Sequence, residues 1–173
     1  MRNAAACSPT CGLSLHYKKE AKKAEKAFNA ETRRRKDESR PVSWHDKKAQ
    51  DSVNRYILLR DYGRPCISCN KPHRPTDSYK HYVDAGHFKR RGGLYRNLRF
   101  NILNIHGQCV ECNRDMSGNE LEYRKGLIER YGLELVDSLE CNSVMHKMDV
   151  AYLQRVRKIF DRRAKYYRQR REQ

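Results

Sequence analysis

No stretch of this sequence approaches the roughly 18 to 20 consecutive apolar residues of a membrane-spanning helix, and Met1-Arg2-Asn3 is followed by no apolar signal region. A secreted or integral membrane protein is therefore not expected, and the expected location is cytoplasmic. Acidic side chains are scarce: 21 Asp and Glu stand against 38 Lys and Arg, leaving a net charge of +17 on 173 residues. Apolar residues are scarce as well, at 38%, so the core must be small and part of the chain must lie outside it. The cysteines do not come in an even number. Seven of them, in a compartment expected to be reducing, argue against a disulfide scaffold. The excess positive charge calls for a polyanion. A nucleic acid fits better than a membrane surface, because the basic stretches carry no matching Leu, Phe or Trp face.

The charge is unevenly placed. Residues 1–40 carry +6, residues 41–146 carry +4 and residues 147–173 carry +7, so two basic arms flank a nearly balanced middle. Within the middle, Lys89, Arg90, Arg91, Arg96 and Arg99 fall in an acid-free stretch from Phe88 to Phe100. Leu13 to Arg40 is built from good helix formers with little to bury, which predicts a solvated helix weakened by like charges at i,i+4. Ser43 is a candidate cap for a second helix, about Trp44 to Asp61, whose Ala49, Val53, Tyr56 and Ile57 follow helical spacing. From Cys66 to Asn113 the texture is one of short strands and turns, with a strand start at Tyr82-Val83-Asp84-Ala85 and a loop over Lys89 to Asn97. Helical patterns return after Gly118: Leu121, Lys125 and Ile128 in one, Leu133 to Leu139 in the next, and Leu153, Val156, Phe160, Ala164 and Tyr167 in a last helix from about Asp149. The expected organisation is a basic arm at 1–40, a packing helix at 41–62, a metal-binding core at 63–118, a helical extension at 119–146 and a basic helix at 147–173.

Four cysteines form Cys66-x2-Cys69 and Cys109-x2-Cys112. Two residues between thiolates is the spacing at which one tight knuckle points both sulfurs at a single tetrahedral Zn²⁺, and two knuckles close a four-sulfur structural site. Such a site would help a weakly hydrophobic middle to fold. Cys7 and Cys11 make half a site, and no tight zinc is expected there. Cys141 reads as a small core or surface residue.

Between and beside the pairs stand Asp84, His87, Asn104, His106 and Asn113. A His on a strand (His87), an Asn five residues before the third cysteine (Asn104) and an Asn directly after the fourth (Asn113) resemble the motif of the His-Me finger, or HNH, nucleases. That resemblance implies an α+β fold in which a hairpin, its loop and a helix form a ββα unit on a treble-clef zinc knuckle, with one Mg²⁺ or Mn²⁺ ion beside the His. The chemistry suits these residues. Phosphodiester hydrolysis needs a water deprotonated near neutral pH, which suits the His87 imidazole, and a cation to neutralise the oxyanion and the leaving 3′ oxygen. Hard oxygen donors suit Mg²⁺, which makes Asp84 and the amide oxygen of Asn113 the expected ligands. Asp84 lies three residues from His87, and residues three apart on a strand face opposite sides, so Asp84 reaches the metal only if Ala85-Gly86 makes a bulge, which glycine permits. Asn104 is expected to fix the loop or orient the imidazole, and His106 to support the site or contact phosphate.

A longer pattern, Asp84-Ala-Gly-His87, Leu98-Arg-Phe-Asn101, Asn104-Ile-His106, Gln108-Cys109, Cys112-Asn113, Ser117-Gly-Asn119, Tyr123-Arg124 and Gly132, closely resembles the phage recombination family NinG/Rap over residues 41–140. This resemblance implies a phage-encoded, metal-dependent endonuclease acting in the host bacterial cell on branched DNA such as Holliday junctions and D-loops. Asn after the last zinc cysteine is also similar to junction resolvases of the phage endonuclease VII type. A homodimer would suit a two-fold symmetric junction, and host or phage recombination proteins are further candidate partners. Lys89, Arg90, Arg91, Arg96 and Arg99 are then expected to contact DNA phosphates. Blander readings remain beside these. Asn104 and Asn113 also suit turns, the basic loop and arms also suit a solvated surface, and His45, His73, His81 and His146 have no site around them. The alternatives in function are a zinc-finger DNA-binding accessory without catalysis, or a nonspecific HNH nuclease.

Overall fold

The computed structural model describes residues 8–72, 83–142, 144 and 147–171. Tyr82 at the expected strand start, together with Cys7, His73, His81 and His146, lies outside the described residues. The chain separates into two units, Met1–Pro41 and Val42–Gln173.

In the first unit, helix α1 runs from Pro9 to Glu38. It starts four residues before the expected Leu13 because Ser8-Pro9 is a ready-made beginning. The Ser8 hydroxyl accepts the Cys11 N–H at 3.2 Å, and proline at the first helical position needs no N–H partner. No described residue of α1 is buried.

In the second unit, α2 spans Val42–Arg60. Ser43 therefore sits inside the helix rather than capping it. The next elements are β1 (Val83–His87), a 3-10 helix (Gly93–Leu98) within the expected loop, and β2 (Ile105–Cys109). A single wide turn of π-helix follows (Glu111–Asp115), then α3 (Glu120–Tyr131), α4 (Leu133–Cys141) and α5 (Val150–Gln169). The chain is thus α+β, rich in helix around one small sheet. β1 and β2 pair antiparallel, one residue to one, from Val83 opposite Cys109 to His87 opposite Ile105. That register holds no bulge at Ala85-Gly86. No described helix is long and apolar enough to cross a membrane.

Two apolar clusters flank the hairpin. Ala49, Val53 and Ile57 of α2 pack with Ile105, Phe100 and the α5 stripe Leu153, Val156, Phe160 and Ala164. On the other side, Ile67, Phe88 and Leu98 pack with Tyr123 and Leu127 of α3 and with Val136 and Leu139 of α4. Leu121, the first residue of the expected α3 stripe, is 78% exposed; Tyr123 and Leu127 are the buried pair. Gly126 lets α3 approach the first cysteine knuckle, because a Cβ there would collide with the Ile67 carbonyl.

The end of α2 is tied to β2 by a buried ion pair. Arg60 grips both carboxylate oxygens of Asp61 at 2.7 Å and also donates to the Ile102 and Ile105 carbonyls. Asp61 in turn accepts the Gly107 N–H at 2.8 Å. Burial alone would raise the Asp61 pKa, but Arg60 and this N–H hold it below its ordinary value. Paired in this way, two charges can be buried without being orphaned.

Candidate functional site

The two knuckles come from separate places, a turn after α2 and the end of β2, and the hairpin register brings them together. The Sγ atoms of Cys66, Cys69, Cys109 and Cys112 all lie within 4.8 Å of one another. A tetrahedron with Zn–S bonds of about 2.3 Å has edges of about 3.8 Å, and Cys69 Sγ lies 3.8 Å from Cys109 Sγ. Asn70 takes a left-handed φ of +55° as the first knuckle closes. The Cys109 and Cys112 N–H groups donate to Cys66 and Cys109 sulfurs at 3.3 and 3.4 Å, and the Asn119 amide approaches Cys112 Sγ at 3.5 Å. Donors directed at sulfur favour the thiolate form that a metal requires. Four close cysteines of this geometry could bind a metal such as zinc.

A second centre lies along β1. Among the described residues β1 pairs only with β2, so its outer edge is open. A cleft of about 540 Å³ is lined by Asp84, Ala85 and His87 of β1, by Asn54 of α2, by Arg90 and Arg91, and by Asn113, Arg114, Ser117 and Gly118. Strand alternation does send Asp84 and His87 to opposite faces. Both nevertheless line the cleft. Gly86 keeps the opposite strand close. A Cβ there would strike the buried Gln108 side chain, which donates to Ser68 Oγ and to the Gly118 carbonyl.

His87 is fixed at one nitrogen, with Nε2 3.0 Å from the Arg99 carbonyl. Burial lowers its pKa to about 4; the Arg99 and Ala85 carbonyls pull the other way, and the Arg91 and Arg99 charges lower it further. The ring is thus neutral at pH 7, and in that state the bond to a carbonyl places the proton on Nε2 and the lone pair on Nδ1. Asp84 is held by Arg114, whose Nε and Nη2 lie 2.7 and 2.8 Å from its two oxygens, and by the Asn113 amide at 2.8 Å. Burial would raise the Asp84 pKa, but these donors keep it below its ordinary value.

The remaining predicted residues fall elsewhere. Asn104, fully buried, accepts the Lys89 N–H at 2.8 Å and donates to the Lys89 and Leu98 carbonyls. It staples the loop between the strands and does not line the cleft. His106 is sealed between Tyr123 and Tyr131, whose hydroxyls lie 3.3 and 3.0 Å from its two ring nitrogens. Burial and the nearby Arg60 charge push its pKa down to about 3, and phosphate cannot reach it there. Lys89 pairs with Glu120 at 2.7 Å and Glu140 at 3.4 Å. Arg99 pairs with Asp46 at 2.9 Å and Gln50 at 3.0 Å. Both cations are engaged with acids of the protein, so the expected contact with DNA phosphates would compete with these pairs. Arg96 is exposed but does not line the cleft, whereas Arg90 and Arg91 are exposed and do.

Sequence reasoning did not single out Asn54 or Arg114, and it met Ser117 only within the longer family pattern. Asn54 ends a chain of contacts in which Arg99 donates to Gln50 and Gln50 donates to Asn54 at 2.8 Å, so one side of the cleft is linked to the residue whose carbonyl holds His87. Arg114 directly follows Asn113 and was legible in that way, as a basic residue beside a predicted ligand.

A family model described as NinG, Bacteriophage Lambda NinG protein, matches residues 3–172. Protein ninG of Escherichia phage lambda is 37% identical over 158 residues, covering 83% of this chain and 74% of the relative. Protein ninG of Salmonella phage P22 is 37% identical over 155 residues, covering 82% and 73%. No solved structure matches.

Proposed function

The chain belongs to the NinG family, and on that premise we propose that it is a metal-dependent endonuclease cutting branched DNA such as Holliday junctions and D-loops. The observation that carries this reading is the meeting of His87, Asp84, Asn113, Arg90 and Arg91 around one cleft. The order of hairpin, loop and following helix beside four cysteines supports a His-Me finger on a treble-clef knuckle. In this mechanism Arg90 and Arg91 hold a backbone phosphate at the cleft mouth. His87, anchored through Nε2 on the Arg99 carbonyl, accepts at Nδ1 the proton of the attacking water. Asp84 and Asn113 offer the hard oxygen donors that would hold Mg²⁺ or Mn²⁺, with Arg114 turning away to release the carboxylate. When bound, that ion supplies charge neutralisation at the phosphoryl and leaving oxygens. Asn104 keeps the loop, and hence Arg99, in place.

A second reading, a DNA-binding accessory without catalysis, draws on Arg114, which occupies both oxygens of Asp84. A labelled four-way junction and a matched linear duplex, with Mg²⁺ or without added divalent ion, separate the two. The nuclease reading expects metal-dependent nicking of the junction that His87→Ala abolishes while its circular dichroism is unchanged. Nicking that persists in His87→Ala removes the mechanism, junction binding without cleavage favours the accessory, and equal cutting of duplex favours a nonspecific nuclease.

A further inference from the structure

Helix α5 presents two unlike faces, one packed and one exposed. Leu153, Val156, Phe160 and Ala164 are buried against α2. On the opposite side Arg155, Lys158, Arg162 and Lys165 are all exposed. At 100° per residue these four fall within an arc of about 80°, and at 1.5 Å per residue they span about 15 Å of helix axis. Among the described residues none of the four forms an ion pair or a side-chain hydrogen bond. The helix has one acid, Asp161, and it is already engaged by Ser52, Arg55 and Arg157. Elsewhere in the same unit cations are matched with acids: Arg60 with Asp61, Lys89 with Glu120, Arg99 with Asp46 and Arg124 with Glu140. The α5 stripe instead sets like charges at i,i+3 and i,i+4, where they repel.

We propose that this face of α5 is a second nucleic-acid surface, a straight track for the phosphate backbone of duplex DNA, separate from the cleft. It rests on reading DNA as the partner and extends that reading to where an uncut duplex arm is held. B-DNA carries one phosphate charge per about 1.7 Å of axis, so a 15 Å stretch offers about nine phosphates to four cations. Contacts of this kind read no sequence, as suits a protein that must grip arms of any composition. No α5 residue lines the cleft, so holding and cutting are separable.

The test uses the full chain with its cysteine site intact and no added divalent ion, so that nothing is cut. Binding to a linear duplex is followed by fluorescence anisotropy across about 50 to 200 mM salt, for the parent and for the combined Arg155→Gln, Lys158→Gln, Arg162→Gln and Lys165→Gln variant. With about 0.9 of a counterion released per phosphate contact, the slope of log affinity against log salt should fall by about 3 to 4. An unchanged melting temperature shows that the variant is folded. In parallel, duplex DNA should protect Lys158 and Lys165 of the parent from acetylation, read by mass spectrometry, and should protect them equally in His87→Ala. An unchanged salt slope, unprotected lysines, or loss of binding to anionic lipid vesicles with duplex binding intact each overturns the proposal. None of these readouts depends on cleavage. A chain that nicks junctions yet shows no α5 effect defeats the track and leaves the nuclease reading standing; protected lysines without nicking do the reverse.

Discussion

His87 and His106 stand on partner strands of one hairpin, and both are kept neutral by burial, with pKa values lowered to about 4 and about 3. A depressed pKa therefore does not tell the two apart. What separates them is how their nitrogens are used. His106 gives both to tyrosine hydroxyls on the sealed side of the hairpin, above the Arg60–Asp61 pair. His87 gives Nε2 to a carbonyl and lines an open cleft with Asp84 and Asn113. The same residue type serves packing on one side of the hairpin and is available to a ligand on the other.

The largest expected effect removes both environments at once. Structural zinc in small domains contributes apparent binding energies of about 10 to 16 kcal/mol, and the last residue of β2, Cys109, is one of the four sulfur donors, with Cys112 in the turn that follows. Cys112→Ser should abolish stoichiometric zinc, measured by atomic absorption, and the cooperative melting transition of the core with it. A variant that melts like the parent would show that the cysteines are not what holds the two faces in register. A narrower cut is Asp61→Ala, which leaves Arg60 buried without its partner. It should cost about 3 to 5 kcal/mol in urea unfolding, damaging the sealed side first.

The paired substitution of the histidines tests the comparison directly. His87→Ala should lower junction nicking by about 10² to 10⁴-fold, the span of general base catalysis, with the unfolding midpoint nearly unmoved. His106→Ala should cost about 1 to 3 kcal/mol of stability by removing a fully buried ring that meets the Tyr123 and Tyr131 hydroxyls, with nicking per folded molecule retained. If the two variants exchange these outcomes, the assignment of the two sides is reversed.

Much of this was legible in the chain. The knuckle spacing placed Cys66, Cys69, Cys109 and Cys112 together, and helical spacing marked α2 and α5, because local periodicity dictates which face is apolar. β2 was not legible. Ile105 to Cys109 packs on both faces, so it shows no alternation, and the strand hides among polar letters such as His106 and Gln108. Nor could the sequence sort the basic loop. Lys89 and Arg99 look like Arg90 and Arg91 in composition, and only the tertiary placement of Glu120, Glu140 and Asp46 shows that the first two are already paired. Asn54 was hidden for the same reason, since a helix residue 33 positions before His87 becomes its neighbour only through packing.

The smallest expected effect is a titration, and its sign follows from the charges around His87. Burial favours the neutral ring, so its folded pKa lies below the ordinary histidine value of about 6.5. The stability this contributes is fully present above about pH 6.5 and is lost as pH falls through about 4, because the unfolded chain takes up the proton first. In ¹³C-histidine NMR spectra the His87 signal should therefore titrate near pH 4, well below an exposed histidine. Arg91 is one of the cations that disfavour the imidazolium. Arg91→Gln removes that repulsion, so the His87 midpoint should move upward while that of His106, whose lowering cations are Arg60, Arg130 and Arg64, stays where it was. A phosphate bound beside Arg91 should shift His87 in the same upward direction, by adding negative charge near the ring. If Arg91→Gln moves both histidines together or neither, the cleft is not electrically distinct from the sealed side, and the division between them fails.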